Sequence, residues 1–291
     1  MRRSAVVPWL FLTPALVIYT VFRIVPLLGT IGLSLTRYQG IGLPIFIGLT
    51  NYLNMLQDPV FWEAIQNNLI WGIVHITIGT SISLFLAVLL NSKIRLRSLF
   101  RTSLFLPVVL SWAVAGLLWD RIYQPTPSFG LINHLFQVVH HPELMHNWLG
   151  DGSTALAAVI VASLWKGFGF SMIIFLAGLQ DIPLELTEAA GLDGASAWQI
   201  FWQVTLPLLR PIVSIVLVLG LIDAFRVFDP IYVMTQGGPG NASEVIGTQV
   251  YEVAFSNFNL GYGSALAMAL LLLALAATLL YLRFFGIGEA Y

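Results

Sequence analysis

Six long apolar stretches alternate with shorter polar segments along the chain. A helix needs roughly 20 apolar residues to cross a bilayer core about 30 Å thick, and each stretch reaches about that length. We number them spans one to six: Pro8–Leu33, Asn68–Leu90, Thr102–Ile122, Ala155–Leu176, Pro211–Met234 and Tyr262–Phe284. The pattern predicts an all-α polytopic membrane protein in which residues 1–291 form a single transmembrane domain.

Composition supports membrane insertion and excludes several classes of protein. Of the 291 residues, 58% are hydrophobic and 9% are charged, whereas roughly 25% are charged in a typical soluble protein. The net charge of −1 provides no basic field to attract nucleic acid. The absence of cysteine excludes disulfides, thiolate metal sites and cysteine nucleophiles. The five histidines show no H-E-x-x-H spacing, and we expect them to be loop residues rather than metal ligands.

The distribution of Lys and Arg predicts the direction in which the chain crosses the membrane. Cytoplasmic segments of membrane proteins are enriched in these residues. A cytoplasmic N-terminus places 8 of them on that side and 4 on the other. The first group is Arg2, Arg3, Lys93, Arg95, Arg97, Arg101, Arg210 and Arg283, and the second is Arg23, Arg37, Arg121 and Arg226. Both termini are therefore predicted to be cytoplasmic.

Two expectations concern the first part of the chain. Span one is longer than the apolar core of a cleaved signal peptide, so we expect a long, tilted anchor from which Arg23 reaches toward the surface. Residues 58–65 mix charged, aromatic and aliphatic side chains. This mixture predicts a short amphipathic helix that lies along the membrane surface.

The polar segment between spans four and five, residues 178–210, predicts a structure of its own. Pro183 is a helix start signal, because proline is tolerated in the first turn. Asp193-Gly194 permits a sharp reversal, since glycine accepts a positive φ. Ser196-Ala197-Trp198-Gln199 forms a capping box, and the helix that it opens should stop or bend at Pro207. We call this predicted pair of helices the elbow.

The elbow also carries a spaced motif. Glu188-Ala189-Ala190 is followed after three residues by Gly194, and after nine more by Val204-Thr205-Leu206-Pro207. Small side chains let a helix seat in a groove on another protein, where a carboxylate can pair with a basic group. The residues alone allow equally that the elbow packs under its own bundle. The motif resembles the E-A-A-x3-G-x9-I-x-L-P sequence of ABC importer permeases, with Val204 in place of Ile.

Three further segments resemble those of sugar permeases in the carbohydrate uptake class, of the maltose and glycerol-phosphate types. The family sequences are G-L-x-N-Y, T-x-G-G-P and A-F-x-x-F-x-x-G-Y-G/A-S-A. The matching segments are Gly48-Leu49-Thr50-Asn51-Tyr52, Thr235-Gln236-Gly237-Gly238-Pro239 and Phe255-Ser256-Asn257-Phe258-Asn259-Leu260-Gly261-Tyr262-Gly263. The resemblance extends from about residue 9 to residue 285.

The resemblance implies a transport subunit, not an enzyme, in the cytoplasmic membrane of a bacterium or archaeon. Its implied partners are a second homologous permease, two ATPase subunits, an extracytoplasmic solute-binding protein and the surrounding lipid. This chain has no G-x-x-x-x-G-K-[ST] sequence, so it would bind no cofactor, and ATP and Mg²⁺ would lie on the partner ATPase. The elbow residues implied in docking on that ATPase are Leu184, Glu188, Ala189, Ala190, Asp193 and Gly194.

Ionisable side chains within the spans are candidates for function, because each costs roughly 2.5–3.5 kcal/mol at the centre of a membrane helix. Lys166 lies in span four, and Asp223 and Arg226 lie three residues apart on one face of span five. Two interpretations remain open at this point. The charges could form a cluster that neutralises itself, or they could line a polar pathway for a hydroxylated solute.

The resemblance favours the pathway. In the maltose-type permease, span four carries W-x-G-aromatic-x-aromatic, and residues of that segment contact the sugar. The pathway predicted here consists of Trp165, Lys166, Gly167, Phe168, Phe170, Gly220, Asp223, Ala224 and Arg226. The maltose-type permease has an uncharged residue at the position of Lys166. An anionic or phosphorylated solute therefore stays open beside a neutral sugar.

An ion-coupled secondary transporter of a small polar solute, working through Asp223 or Lys166, is the main alternative. Such a transporter would need no elbow of this kind, and no inverted repeat of broken helices is evident. An intramembrane enzyme would need a nucleophile with a base, or a metal cluster. No such spacing occurs in the sequence.

Overall fold

The computed structural model describes residues 6–92 and 95–285, in which nearly all regular structure is helical. The longer α-helices are Val6–Tyr19, Val25–Ser34, Pro59–Val74, Thr80–Asn91, Arg97–Val109, Trp112–Tyr123, Ala155–Gln180, Arg210–Arg226 and Leu260–Phe285. The shorter ones are Thr50–Gln57, Leu131–Val138, Leu184–Leu192, Ala197–Ile200, Leu206–Leu208, Asp229–Met234 and Ile246–Tyr251. Arg2, Arg3 and Lys93, which enter the orientation count, lie outside the described residues.

Short irregular elements complete the described chain. Four π-helical turns join neighbouring α-helices: Thr20–Ile24, His75–Gly79, Phe201–Thr205 and Glu252–Ser256. A 3₁₀ turn covers Pro142–Leu144, and the strands Thr36–Arg37 and Ile45–Phe46 pair antiparallel. The first two π turns interrupt spans one and two without ending them.

The described residues contain enough apolar helix for six membrane crossings. Four continuous helices are long and apolar enough to cross a membrane by themselves, and two bent helix pairs raise the number to six if each pair counts as one span. The four are Phe11–Ser34, Pro59–Asn91, Ala155–Gln180 and Leu260–Arg283. The prediction of an all-α polytopic protein is confirmed.

Span three is not the single helix that its apolar pattern predicts. It consists of segment 3a, Arg97–Val109, and segment 3b, Trp112–Tyr123, which meet at an angle of 102°. Leu110 is extended, and the Ser111 hydroxyl caps segment 3b by accepting a hydrogen bond from the Val114 N–H at 3.3 Å. Hydropathy could not reveal the break, because both segments are apolar.

Span five is also interrupted. Its main helix, Arg210–Arg226, follows Ala197–Leu208 at an angle of 68°. The chain then leaves helical geometry at Val227 and resumes as the short helix Asp229–Met234, with Pro230 near its start. The breaks in spans three and five are therefore features that the apolar pattern alone does not predict.

The predicted surface helix at residues 58–65 is wrong. The Asp58 carboxylate accepts a hydrogen bond from the Val60 N–H at 2.9 Å and caps a helix that begins at Pro59. Proline suits this first position because its missing N–H would have no helical partner there. The helix continues through the π turn to Asn91, over 33 residues. Residues 59–65 therefore extend span two.

The chain forms two compact units by the density of its internal packing. The first unit comprises the chain up to Phe61 together with Gln249–Leu272, and the second comprises Trp62–Thr248 together with the chain from Leu273 onward. The assignment of residues 1–291 to one transmembrane domain stays a prediction.

In the first unit, two of the motif segments pack against the end of span one. They are the segment with Asn51 and Tyr52 and the segment with Gly261. The Asn51 side chain donates hydrogen bonds to the carbonyl groups of Ser34 at 2.8 Å and Thr36 at 2.9 Å. The Tyr52 hydroxyl donates to the Ser34 hydroxyl at 2.8 Å. Gly261 lies so close to the Thr36 carbonyl that a Cβ atom would overlap it. The Asn51 side chain thus satisfies the Ser34 carbonyl, which the end of the helix leaves without an intrahelical partner.

In the second unit, span four is the central helix. Met172 and Phe175 on this helix are fully buried in its apolar core. Two glycines let neighbouring helices approach it closely. A Cβ atom at Gly169 would lie 2.6 Å from the Leu104 carbonyl of segment 3a, and one at Gly178 would lie 2.7 Å from Ile212 of span five. Span four therefore packs closely against both interrupted spans, three and five.

The elbow has the predicted form of two short helices. The first, Leu184–Leu192, ends in a reversal at Gly194, whose φ is +84°. Both halves of the capping box are present: the Ser196 hydroxyl accepts from the Gln199 N–H at 3.3 Å, and the Gln199 side chain accepts from the Ser196 N–H at 2.8 Å. The second helix continues to Leu208, just past Pro207, before the bend into span five.

Candidate functional site

A cavity of about 320 Å³ lies among spans two, four and five of the second unit. Small-molecule sites typically occupy roughly 300–1,000 Å³ and combine apolar walls with a few polar groups. The cavity has this character. Its lining residues are His75, Gly79, Thr80, Ser83, Leu164, Gly167, Phe168, Phe170, Ser171, Val216, Leu219, Gly220, Ile222, Asp223 and Arg226.

Span four presents one helical face to the cavity. Leu164, Gly167, Phe168 and Ser171 follow the three- and four-residue spacing of a single face, and Phe170 lies beside them. A Cβ atom at Gly167 would have no other atom within 4 Å, so the missing side chain leaves open volume. The structure places the predicted pathway residues Gly167, Phe168 and Phe170 at this cavity.

Two other predicted pathway residues of span four do not line the cavity. Lys166 turns toward span three, where its ammonium donates a hydrogen bond to the Val108 carbonyl at 3.3 Å. The Trp165 ring packs edge-on against Trp119 of segment 3b, with 5.7 Å between ring centroids. Adjacent residues on a helix point about 100° apart, which separates Trp165 and Lys166 from the Gly167 face.

Span five contributes three of its four predicted residues to the cavity, namely Gly220, Asp223 and Arg226. Ala224 is instead buried, with 3% exposure, and its carbonyl accepts a hydrogen bond from Asn68 of span two at 2.8 Å. Among the described residues, Asp223 and Arg226 form no ion pair within 4.0 Å. The two charges therefore do not neutralise each other through direct contact.

Span two lines the cavity with polar residues that the sequence interpretation missed. His75 was expected in a loop, but it lies in the π turn of this span. Its Nδ1 is 3.0 Å from the Trp71 carbonyl, so Nδ1 carries the proton, and Nε2 accepts from the Ser163 hydroxyl at 3.0 Å. The signal was present in the sequence. The polar residues His75, Thr80 and Ser83 interrupt an apolar span, although Thr77 and Ser81 of the same span do not line the cavity.

The elbow presents the second candidate site, on its first helix. None of the residues from Leu184 to Leu192 is buried, and Glu188 and Ala189 are exposed. Within the described part of the chain, Glu188 makes no ion pair. The helix is thus an open surface on which the Glu188 carboxylate lies beside small side chains. Asp193 and Gly194, also exposed, form the turn that follows.

The T-x-G-G-P segment has a conformational role. The Ser243 hydroxyl lies 2.8 Å from the Thr235 hydroxyl and 2.6 Å from the Gly238 carbonyl, which it binds across the loop. Gly237 has a φ of +85°, and a Cβ atom there would overlap the Glu244 carboxylate. Glycine is needed here because the chain must pass directly over a buried acid. The segment therefore shapes the loop after span five.

Comparison with known proteins identifies relatives over most of the chain. A family model described as the inner membrane component of binding-protein-dependent transport systems matches residues 79–285. The chain is 39% identical to the probable ABC transporter permease protein YurN of Bacillus subtilis, with 99% of each chain covered. It is 36% identical to the trehalose/maltose transport system permease protein MalF of Thermococcus litoralis, over 97% of this chain and 94% of that protein.

A solved structure shares the fold. A chain of a bacterial alginate ABC transporter, crystallised with an alginate pentasaccharide-bound periplasmic protein, matches with a TM-score of 0.83. The match covers 94% of this chain and 92% of that chain. At 23% identity, this likeness concerns the fold and does not extend to the solute.

Proposed function

Because this chain belongs to the family of binding-protein-dependent transport system inner membrane components, we propose that it forms half of the membrane pathway of an ATP-driven carbohydrate importer. Family membership makes the chain a multi-pass permease subunit rather than an enzyme. The carbohydrate is the proposed solute. Its first support is the relative in Thermococcus litoralis, which serves trehalose/maltose transport.

The cavity is the observation that carries the proposal. Phe168 and Phe170 offer apolar ring faces, and Asp223 and Arg226 offer an acceptor and several donors beside them. A sugar has the matching surface, since its C–H faces pack on aromatic rings and its hydroxyl groups bond to charged side chains. A solute between spans four and five would also lie between the two helices that the elbow connects.

The charges at the cavity favour a neutral sugar over a sugar phosphate. Asp223 and Arg226 contribute one negative and one positive charge. The positive charge of Lys166 was the reason to consider an anionic solute. Its ammonium donates a hydrogen bond to the Val108 carbonyl and does not line the cavity. A phosphate would therefore meet a carboxylate without an excess of positive charge. A neutral sugar or polyol meets no such repulsion.

The proposed assembly contains two permease chains, two ATPase subunits and an extracytoplasmic binding protein. The exposed first elbow helix is proposed to dock in a groove of one ATPase, with Glu188 opposite a basic group. ATP and Mg²⁺ are proposed to lie on the ATPase, because the chain has no phosphate-binding loop sequence. In this arrangement the permease chain binds no cofactor.

Ion-coupled secondary transport is the competing function. The breaks in spans three and five are a feature that many secondary transporters share. Family membership and the exposed elbow favour the ATP-driven function. Two experiments distinguish ATP-driven from ion-coupled transport. On purification from the native membrane, an ATPase subunit should accompany the chain. In an uptake assay, transport should persist when ion gradients are collapsed.

The solute is tested by removing one aromatic face. Phe170→Ala is expected to weaken the interaction with the sugar by about 1 kcal/mol, or about fivefold in KM for uptake, because the ring face is lost. Phe85→Ala is the matched control, since Phe85 is similarly exposed but does not line the cavity. The measurement is uptake into proteoliposomes of the solute that the co-purified binding protein carries. A non-carbohydrate on that protein would contradict the proposal.

The orientation is tested by reporter fusions. From the distribution of Lys and Arg, we propose that the elbow and both termini are cytoplasmic, in a bacterial or archaeal inner membrane. Fusions at Ser92 and Ser196 should therefore report a cytoplasmic location. Those at Asn54, Asn147 and Asn241 should report an external one. A cytoplasmic signal from any of these three would break the six-span topology.

A further inference from the structure

Lys166 makes two contacts that the solute pathway does not explain. Its ammonium donates to the Val108 carbonyl at 3.3 Å and lies 5.2 Å from the centroid of the Trp112 ring. Val108 is in the last turn of segment 3a, and Trp112 is the first residue of segment 3b. One side chain of span four thus touches both sides of the break in span three. We name these three residues the clasp.

The break needs such a partner. The last four carbonyl groups of a helix have no intrahelical donor, and the membrane interior has no water to replace one. The same end of the helix carries a partial negative charge, which favours a cation. The Trp112 ring adds a face that attracts an ammonium ion. Lys166 therefore supplies the charge and the donor that the end of segment 3a lacks.

Neighbouring residues on span four reinforce the same contact. Trp165 packs on Trp119 of segment 3b, and Gly169 lies against the Leu104 carbonyl of segment 3a. The face of span four that turns away from the cavity thus contacts both segments on either side of the break. Segment 3b in turn packs on the helix after the break in span five, where Gly116 lies so close to Val233 that a Cβ atom would overlap it.

Span four also leads directly to the elbow. It ends at Gln180, and the first elbow helix begins at Leu184. We infer that Lys166 is a positioning residue that locks the break in span three to span four, so that movement of the elbow reaches segment 3b. This inference rests on the proposed function for its link to ATP hydrolysis. The local part, that Lys166 holds the break, concerns this chain alone.

The local part is tested with a spin label at Ala113→Cys in the purified full-length chain. Ala113 is exposed in the first turn of segment 3b, and the chain has no native cysteine to compete for the label. Lys166→Met should increase the mobility of the label, because the break loses its cation. Lys166→Arg should restore the wild-type spectrum, since a guanidinium can donate to the carbonyl and lie on the ring.

The link to transport is tested in proteoliposomes that contain the complete transporter. Lys166→Met should lower uptake at least about tenfold, the loss expected for one hydrogen bond to a charged group, while ATP hydrolysis stays within about twofold. Lys166→Arg should recover uptake. Arg121→Met is the control, because it removes a positive charge from the far end of segment 3b, where Arg121 is exposed.

Each result decides the matter. Unchanged label mobility in Lys166→Met overturns the clasp, and uptake per ATP equal to that of the wild type overturns its link to transport. If Lys166→Met does not insert, Lys166→Gln keeps a donor without the charge, and the same two measurements apply to it. A mobile label together with a wild-type complex that carries no carbohydrate would contradict the proposed function and leave the clasp supported.

Discussion

In the assembled transporter, Glu188→Lys is expected to abolish coupled uptake while leaving the chain inserted in the membrane. Glu188 is exposed on the first elbow helix and makes no ion pair within the described residues. A lysine there would face the basic group that we propose on the ATPase, and like charges in contact at an interface cost several kcal/mol. Uptake and ATP hydrolysis should be measured in the same proteoliposomes, together with recovery of the ATPase on purification.

Glu143→Lys is the control for this prediction. Glu143 is exposed in the segment between spans three and four, so the variant makes the same charge reversal away from the elbow. It should assemble and take up solute like the wild type. If Glu188→Lys also assembles and couples hydrolysis to uptake at the wild-type ratio, the elbow is not the coupling surface.

Gly167→Trp is expected to block transport without disturbing the fold. Gly167 lines the cavity, and a Cβ atom at this position would have no other atom within 4 Å. The indole can therefore enter the open volume without a clash with the backbone, and there it would occupy the space proposed for the sugar. Uptake should fall to background, while the amount of purified complex and its thermal stability stay close to wild type.

Gly29→Trp is the matched control for the cavity. Gly29 lies in span one and also has no atom within 4 Å of a Cβ position, but it does not line the cavity. This variant should transport normally. Normal uptake by Gly167→Trp would show that the solute passes elsewhere.

The elbow shows what could be predicted residue by residue. Its reversal, capping box and bend depend on Gly194, Ser196 with Gln199, and Pro207, and each acts through the backbone within a few positions. Such local features can be predicted without knowing which other helices pack nearby. The same holds for Pro59 at the start of span two. The mixture of side chains at residues 58–65 predicts a helix there, but the structure extends that helix through span two to Asn91.

The cavity shows where sequence reasoning stopped. The nine pathway residues were chosen from span four and span five, yet Trp165, Lys166 and Ala224 do not line the cavity and His75 of span two does. A run such as Trp165-Lys166-Gly167 covers most of the circumference of a helix within one turn. Which of these residues meets a solute depends on which face the other helices cover.

The sequence by itself determined that this chain is an all-α membrane permease with an elbow after span four, because long apolar runs, a spaced motif and local capping residues are linear signals. Only the tertiary structure decided that spans three and five are broken and that Lys166 contacts Val108 beside the break instead of lining the cavity. Both outcomes depend on contacts between distant residues, such as Gly169 with Leu104 and Lys166 with Val108. Hydropathy is an average over neighbouring residues in the sequence. It therefore contains no information about which residue of another helix a side chain contacts.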